Sequence, residues 1–229
     1  MPVISPKTKS RVPESREGQL KITEIFHSLQ GEARDAGRPT VFIRLTGCPL
    51  RCVYCDSEYA FYGGEWMHID QIMQQVESHG TQYVCVTGGE PLAQKRCLLL
   101  LDRLCEAGYQ VSLETSGAMD VSKVDEQVSR VVDIKTPDSG EVDRNLWDNL
   151  EILTAHDQVK FVICSRGDYD WAVNEIRTRG LEQKLDILFS PAWGQVDATE
   201  LAAWVLHDQL NVRMQLQLHK ILWGDEPGK

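Results

Sequence analysis

Short runs of alternating apolar and polar residues recur along the chain, and most are followed by a stretch with the period of a helix. Strands are expected at 40–45, 83–87, 111–115, 131–135, 159–163 and 186–189, with a last run at 213–219. Helices are expected near 69–79, 95–107, 144–154, 169–179 and 198–210. In the second of these, Cys97, Leu100, Leu101 and Leu104 fall at i, i+3, i+4 and i+7, which marks a buried face and makes Cys97 and its neighbour Cys105 core residues. Asp197 and Glu200 stand where an N-cap and its capping-box partner belong. Repeated βα units imply parallel strands with right-handed crossovers. The fold class is therefore α/β. Six units are too few for a closed eight-fold barrel, which leaves a partial (βα)6 barrel or an open sheet, with outer helices and chemistry at the strand C-terminal ends.

The alternation also sorts the strand faces. Val41, Ile43 and Leu45 share one face of the first strand, and Phe42, Arg44 and Thr46 the other. Later strands repeat the split, with Ser112 and Glu114 against Val111 and Leu113, Asp133 and Lys135 against Val132 and Ile134, and Lys160 beside Phe161. If the apolar faces pack on the helices, ionisable groups line the interior, which is costly unless something pairs with them. A polar ligand filling the interior accounts for the pattern. The competing account is an open sheet with its polar faces in water.

The formal net charge of −10 argues against a nucleic-acid surface, which carries a basic stripe, and means that an anionic substrate needs a local cationic site. No apolar run has the length of a membrane span. Residues 1–18 are polar, hold Pro2, Pro6 and Pro13 and lack the apolar core of a secretory signal; they read as a mobile tail before a single domain at 19–229. Three of the seven cysteines crowd into 48–55, which favours metal or redox chemistry in a reducing cytoplasm over disulfides.

Those three, Cys48, Cys52 and Cys55, have C-x3-C-x2-C spacing just past a predicted strand. A structural zinc site needs four ligands, here a distant residue such as His68, and an ordinary ferredoxin cluster needs four cysteines. Three thiolates leave a metal position open for a cofactor or substrate. With Tyr54 before the last cysteine, the motif resembles that of the radical S-adenosylmethionine (SAM) superfamily, in which three cysteines hold a [4Fe-4S] cluster and SAM chelates the fourth iron. Thr87–Pro91, TGGEP, at the end of the next predicted strand resembles the superfamily's stretch that holds the SAM amino group.

Taken in order, SLQGE at 28–32, FIRLTGCP, CDS, TGGEP, LETSG, DIKTP and QLHK resemble the 7-carboxy-7-deazaguanine synthase family from Leu20 to Gly224. The resemblance implies a partial barrel of the radical SAM type. It also implies conversion of 6-carboxy-5,6,7,8-tetrahydropterin to 7-carboxy-7-deazaguanine with loss of ammonia, by a 5'-deoxyadenosyl radical generated from SAM. By the same resemblance Leu29, Gln30, Gly31 and Glu32 contact the pterin, Arg44 meets its carboxylate and Thr87 its ring. SAM falls to Tyr54, Gly89, Glu90, Asp133, Lys135, Ser190 and Pro191, and Mg2+ to Ser57, where the family has Thr. Ala33 stands where the family usually has Gly, which loosens the case for a sharp turn there. The partners implied are an electron donor such as a flavodoxin or ferredoxin and a second copy of the chain as a homodimer, with neither nucleic acid nor membrane. The alternative is a glycyl-radical-enzyme activating protein, against which SLQGE and Arg44 speak. A non-enzymatic metal-stabilised module leaves TGGEP and the polar strand faces without a reason. Cys85 and Cys164 lie in β runs and read as core, His27 as packed or solvated, and His219 and Lys220 carry no role from chemistry.

Overall fold

The computed structural model describes residues 17–224 together with Glu226 and Gly228. The tail expected at 1–18 lies outside those residues except for Glu17 and Gly18. The chain opens with two strands, β1 (Gln19–Leu29) and β2 (Pro39–Leu45), then β3 (Glu65–His68) and helix α1 (Ile69–Ser78). Next come β4 (Tyr83–Gly88), α2 (Cys97–Glu106), β5 (Gln110–Thr115), β6 (Ser129–Ile134) and β7 (Gln158–Ile163). The chain closes with α3 (Arg166–Arg179), β8 (Asp186–Pro191), α4 (Ala198–His207), β9 (Arg213–Met214) and α5 (Leu218–Trp223). All strands join one sheet in the order β3-β1-β2-β4-β5-β6-β7-β8-β9. From β2 to β9 every neighbouring pair is parallel, whereas β1 runs antiparallel to both β2 and β3. The seven parallel strands agree with the seven runs expected from the sequence. The antiparallel pair β1 and β3 at their edge is an addition to them.

The apolar strand faces pack outward under the helices. Val41, Ile43 and Leu45 of β2 meet Ile72 and Val76 of α1 and Leu100, Leu101 and Leu104 of α2 in one core. Val159, Phe161 and Ile163 of β7 meet Tyr169 and Ile176 of α3 and Leu201 of α4 in a second. Each fully buried aliphatic side chain in these layers contributes about 1.5–3 kcal/mol relative to exposure. His68 caps α1 in a reciprocal box with Gln71, so the histidine considered as a fourth zinc ligand is a helix cap. Asp197 caps α4, accepting from the amides of Thr199 and Glu200.

Two expected elements differ. The segment 144–154 is not an α-helix but short 3-10 turns, Val142–Arg144 and Trp147–Glu151. Two asparagines explain this. Asn145 exchanges hydrogen bonds with the backbone of Lys135, and Asn149 bonds the backbone of Gly117, Met119 and Val121. Such side chains offer the backbone alternatives to a helical ladder. The last strand stops at Met214 instead of running to residue 219, because Gln215 and Gln217 turn their amides inward to polar partners and α5 follows.

Candidate active site

Strand β2 delivers the chain at its C-terminal end into the loop that carries the three cysteines. This loop is tied down on both sides. The Gly47 amide donates to Ala60 and the Val53 amide to Ser139, while the Arg51 guanidinium covers the Phe61 ring at 4.2 Å and donates to the carbonyl of Cys48. Burial pushes the thiols of Cys48 and Cys55 above their ordinary range and that of Cys52 up to about 11, against the pull of Lys135. A thiol raised in this way holds its proton until the charge of a bound metal compensates the thiolate, so metal binding at these three positions would release protons.

The TGGEP turn at the end of β4 packs directly on that loop. The Glu90 amide donates to the carbonyl of Gly47 at 2.8 Å and the Gly89 amide to that of Leu45 at 3.2 Å. A Cβ at residue 89 would stand 2.4 Å from the Gly47 carbonyl oxygen and 2.8 Å from Cβ of Cys48. The glycine is thus required by the close approach of two backbones. Gly89→Ala is expected to cost about 1–3 kcal/mol and to displace Cys48, read as a lower Tm with reduced iron retention. Glu90 is fully buried and does not line the cavity. Its carboxylate accepts from the amides of Leu92 and Ser116 and from the hydroxyls of Thr115 and Ser116. It braces the turn against the end of β5, a different part from the direct SAM contact expected of it.

Every other site residue named from the sequence lines one cavity on the inner face of the sheet. Its two lysines and its arginine are paired inside the protein. Lys135 meets Asp133 at 3.0 Å, and Lys160 of β7 pairs with Glu32. Burial opposes the charge on Lys160, but Glu32 and more distant carboxylates hold it protonated; Lys160 and Gln217 in turn hold Glu32 ionised against its burial. Arg44 also has a partner, Glu24 of β1, to which Nε donates at 2.7 Å, so the idea that it waits unpaired for a ligand is revised. Thr87 Oγ1 and Gln30 Nε2 both donate to Glu114. What lacks a partner among the described residues is Asp133 Oδ1, the Tyr54 hydroxyl and Ser28 Oγ, all buried. A buried polar atom left unbonded costs about 1–3 kcal/mol, and a polar ligand in the cavity would satisfy Asp133 and Tyr54. The residues present therefore fit a polar, charged cofactor beside the three thiols.

The SLQGE segment leaves β1 and crosses the interior. Ala33 is buried with Val131 and Leu188, and the Arg34 amide donates to Gln158, so this loop closes the interior on the side of the strand N-termini. Ala33 adopts φ 63°, so the sharp turn forms without glycine. A left-handed conformation costs an L-residue roughly 1–2 kcal/mol, offset here by that packing. The C-terminal segment latches onto the same loop. Gln215 bonds the Ala33 amide and Ser190, Gln217 bonds Glu32 at 2.9 Å, and the Leu218 amide donates to Gly31. His219 lies so close to Gly31 that a Cβ there would fall 2.3 Å from Nδ1. Of the cavity wall, sequence reasoning assigned no role to Asp56, Glu114, Lys160, Gln217 and His219. Glu114 and Lys160 were visible as polar positions on strand faces, whereas Gln217 reaches the site only because β9 ends early.

The parallel sheet, the cysteine loop and the glycine turn packed on it define a radical SAM protein, and residues 42–180 match the Radical SAM superfamily. The chain is 45% identical over 222 residues to the 7-carboxy-7-deazaguanine synthase of Koribacter versatilis (strain Ellin345), covering 90% of this chain and 98% of that one. Against the protein of the same name from Chlorobaculum tepidum it is 43% identical over 215 residues, covering 93% and 98%. The crystal structure of QueE from Escherichia coli superposes with a TM-score of 0.69 at 24% identity, over 91% of this chain and 100% of that one, a likeness of fold. The chain belongs to the 7-carboxy-7-deazaguanine synthase family.

Proposed function

We propose that the chain converts 6-carboxy-5,6,7,8-tetrahydropterin to 7-carboxy-7-deazaguanine with loss of ammonia, a lyase step of queuosine biosynthesis. The observation that carries this is the single cavity shared by the three cysteines, the TGGEP turn, the SLQGE loop and Arg44. When bound, the [4Fe-4S] cluster and SAM supply the radical chemistry, and the protein binds, orients and excludes side reactions. Asp133 and Lys135 present one anionic and one cationic group to a zwitterionic cofactor beside Tyr54, Gly89, Ser190 and Pro191. Arg44 receives the substrate carboxylate, and Thr87 and the Leu29–Gly31 backbone receive the ring. Glu32, clamped by Lys160 and Gln217, fixes the loop that shields them from water. Membership of this family leaves no reason to retain the glycyl-radical-enzyme activating protein.

Mg2+ at Ser57, a one-electron donor such as a flavodoxin or ferredoxin, a homodimer and a cytoplasmic location belong to the same reading. Among the described residues no helix is long and apolar enough to cross a membrane. Ser57 lines the cavity and its hydroxyl donates to Asp56 at 2.9 Å, so its oxygen is available beside a carboxylate, and oxygen donors with retained waters suit Mg2+. Ser57→Ala is expected to slow turnover roughly three- to tenfold and to flatten its response to a magnesium titration. Iron content should stay at the wild-type value; an unchanged titration curve would remove the metal from this account. The function itself is tested by anaerobic reconstitution followed by SAM cleavage with and without the carboxypterin. The deazapurine acid and ammonia are expected as products, and their absence with a fully loaded cluster overturns the assignment.

A further inference from the structure

Glu24 faces Arg44 because of a local irregularity. Along the β1–β2 pair, Ile22 is opposite Leu45, but the next pairing is Glu24 opposite Arg44, with Thr23 as the extra residue of a bulge. In an unbroken antiparallel ladder Thr23 would oppose Arg44 and Glu24 would sit on the other face of the sheet. Bulges re-aim side chains in this way, and they gather beside active sites. The re-aimed carboxylate takes Nε of Arg44 at 2.7 Å, and the same oxygen accepts from the Tyr59 hydroxyl at 2.8 Å. Tyr59 comes from the turn directly after the cysteine loop and meets Glu24 as a donor. The guanidinium lies between the rings of Phe26 and Tyr59, at 5.9 and 5.7 Å. Among the described residues its Nη groups make no hydrogen bond, and Arg44 lines the cavity.

We propose that Glu24, steadied by Tyr59, is a positioning residue for substrate recognition: it holds Arg44 by Nε so that the Nη edge is left to form a two-bond pair with the substrate carboxylate. A guanidinium offers two edges for such pairs, and occupation of one fixes which remains. This rests on the reading of the substrate as a carboxypterin. It adds a residue that touches no ligand itself and acts through Arg44.

The test compares binding of 6-carboxytetrahydropterin and of a tetrahydropterin without the carboxylate to the reconstituted holoenzyme with SAM. Glu24→Ala is expected to weaken the carboxylated ligand about tenfold and to leave the other unchanged. Glu24→Gln keeps an oxygen for Nε and for Tyr59, so it should restore binding to within about threefold of wild type. Tyr59→Phe should cost about two- to threefold, again only for the carboxylated ligand. Equal weakening of both ligands by Glu24→Ala would make Glu24 a structural residue, and tighter binding would make it a competitor for Arg44; either overturns the proposal, as does unchanged binding in Glu24→Ala. A wild-type holoenzyme that does not prefer the carboxylated pterin overturns the substrate reading itself, a result separate from any difference among the Glu24 variants.

Discussion

Cys48→Ala, Cys52→Ala and Cys55→Ala are each expected to emerge from anaerobic reconstitution without the brown chromophore, with iron and sulfide near background. Two thiolates cannot replace three, and no other cysteine is placed to substitute. Cys85 and Cys97 are fully buried in β4 and α2, and Cys105 lies at the end of α2. Cys164 follows β7 and does not line the cavity that the three cysteines share. Alanine at any of these four should leave the iron content at the wild-type value. The core positions should lower Tm, since a deleted buried group leaves a cavity. Iron and sulfide analysis of the seven single variants decides the matter, and a fully loaded Cys52→Ala would end the cluster assignment.

Arg44→Ala is expected to weaken carboxypterin binding roughly ten- to a hundredfold, since hydrogen bonds to charged groups are worth roughly 1.5–3 kcal/mol. Arg44→Lys should recover part of this, because the ammonium keeps the charge and loses the planar fork. The ion pair with Glu24 adds a stability effect, as removing Arg44 alone leaves a largely buried carboxylate without its cation. An Arg44→Ala, Glu24→Gln double variant separates the two effects. It should regain Tm relative to Arg44→Ala and still bind the carboxypterin weakly. Calorimetric titration with the substrate measures the affinity, and wild-type affinity in the double variant would make Arg44 a structural residue.

What the sequence settled by itself was whatever depends on neighbours along the chain. Cysteine spacing, the TGGEP turn and the period-two alternation of 40–45, 111–115 and 131–135 are local patterns, and they led to the cluster loop, the parallel strands and the inward set of Arg44, Thr87, Asp133 and Lys135. Where two local signals competed, the reading failed. Leu146, Leu150 and Leu153 have helical spacing, but Asn145 and Asn149 bind distant backbone and hold the segment in 3-10 turns. Strand β1 escaped for a related reason. Leu20 and Ile22 face the core on even positions and Ile25 on an odd one, because the bulge at Thr23 shifts the phase by one residue and breaks the alternation that marks a strand. Only the tertiary structure decided which charges pair. Glu24 with Arg44, Glu32 with Lys160 and Gln217 with Glu32 join residues 20 to 185 positions apart. Such pairs are set by strand register, by a bulge and by the early end of β9, none of which is written in the spacing of the residues they bring together.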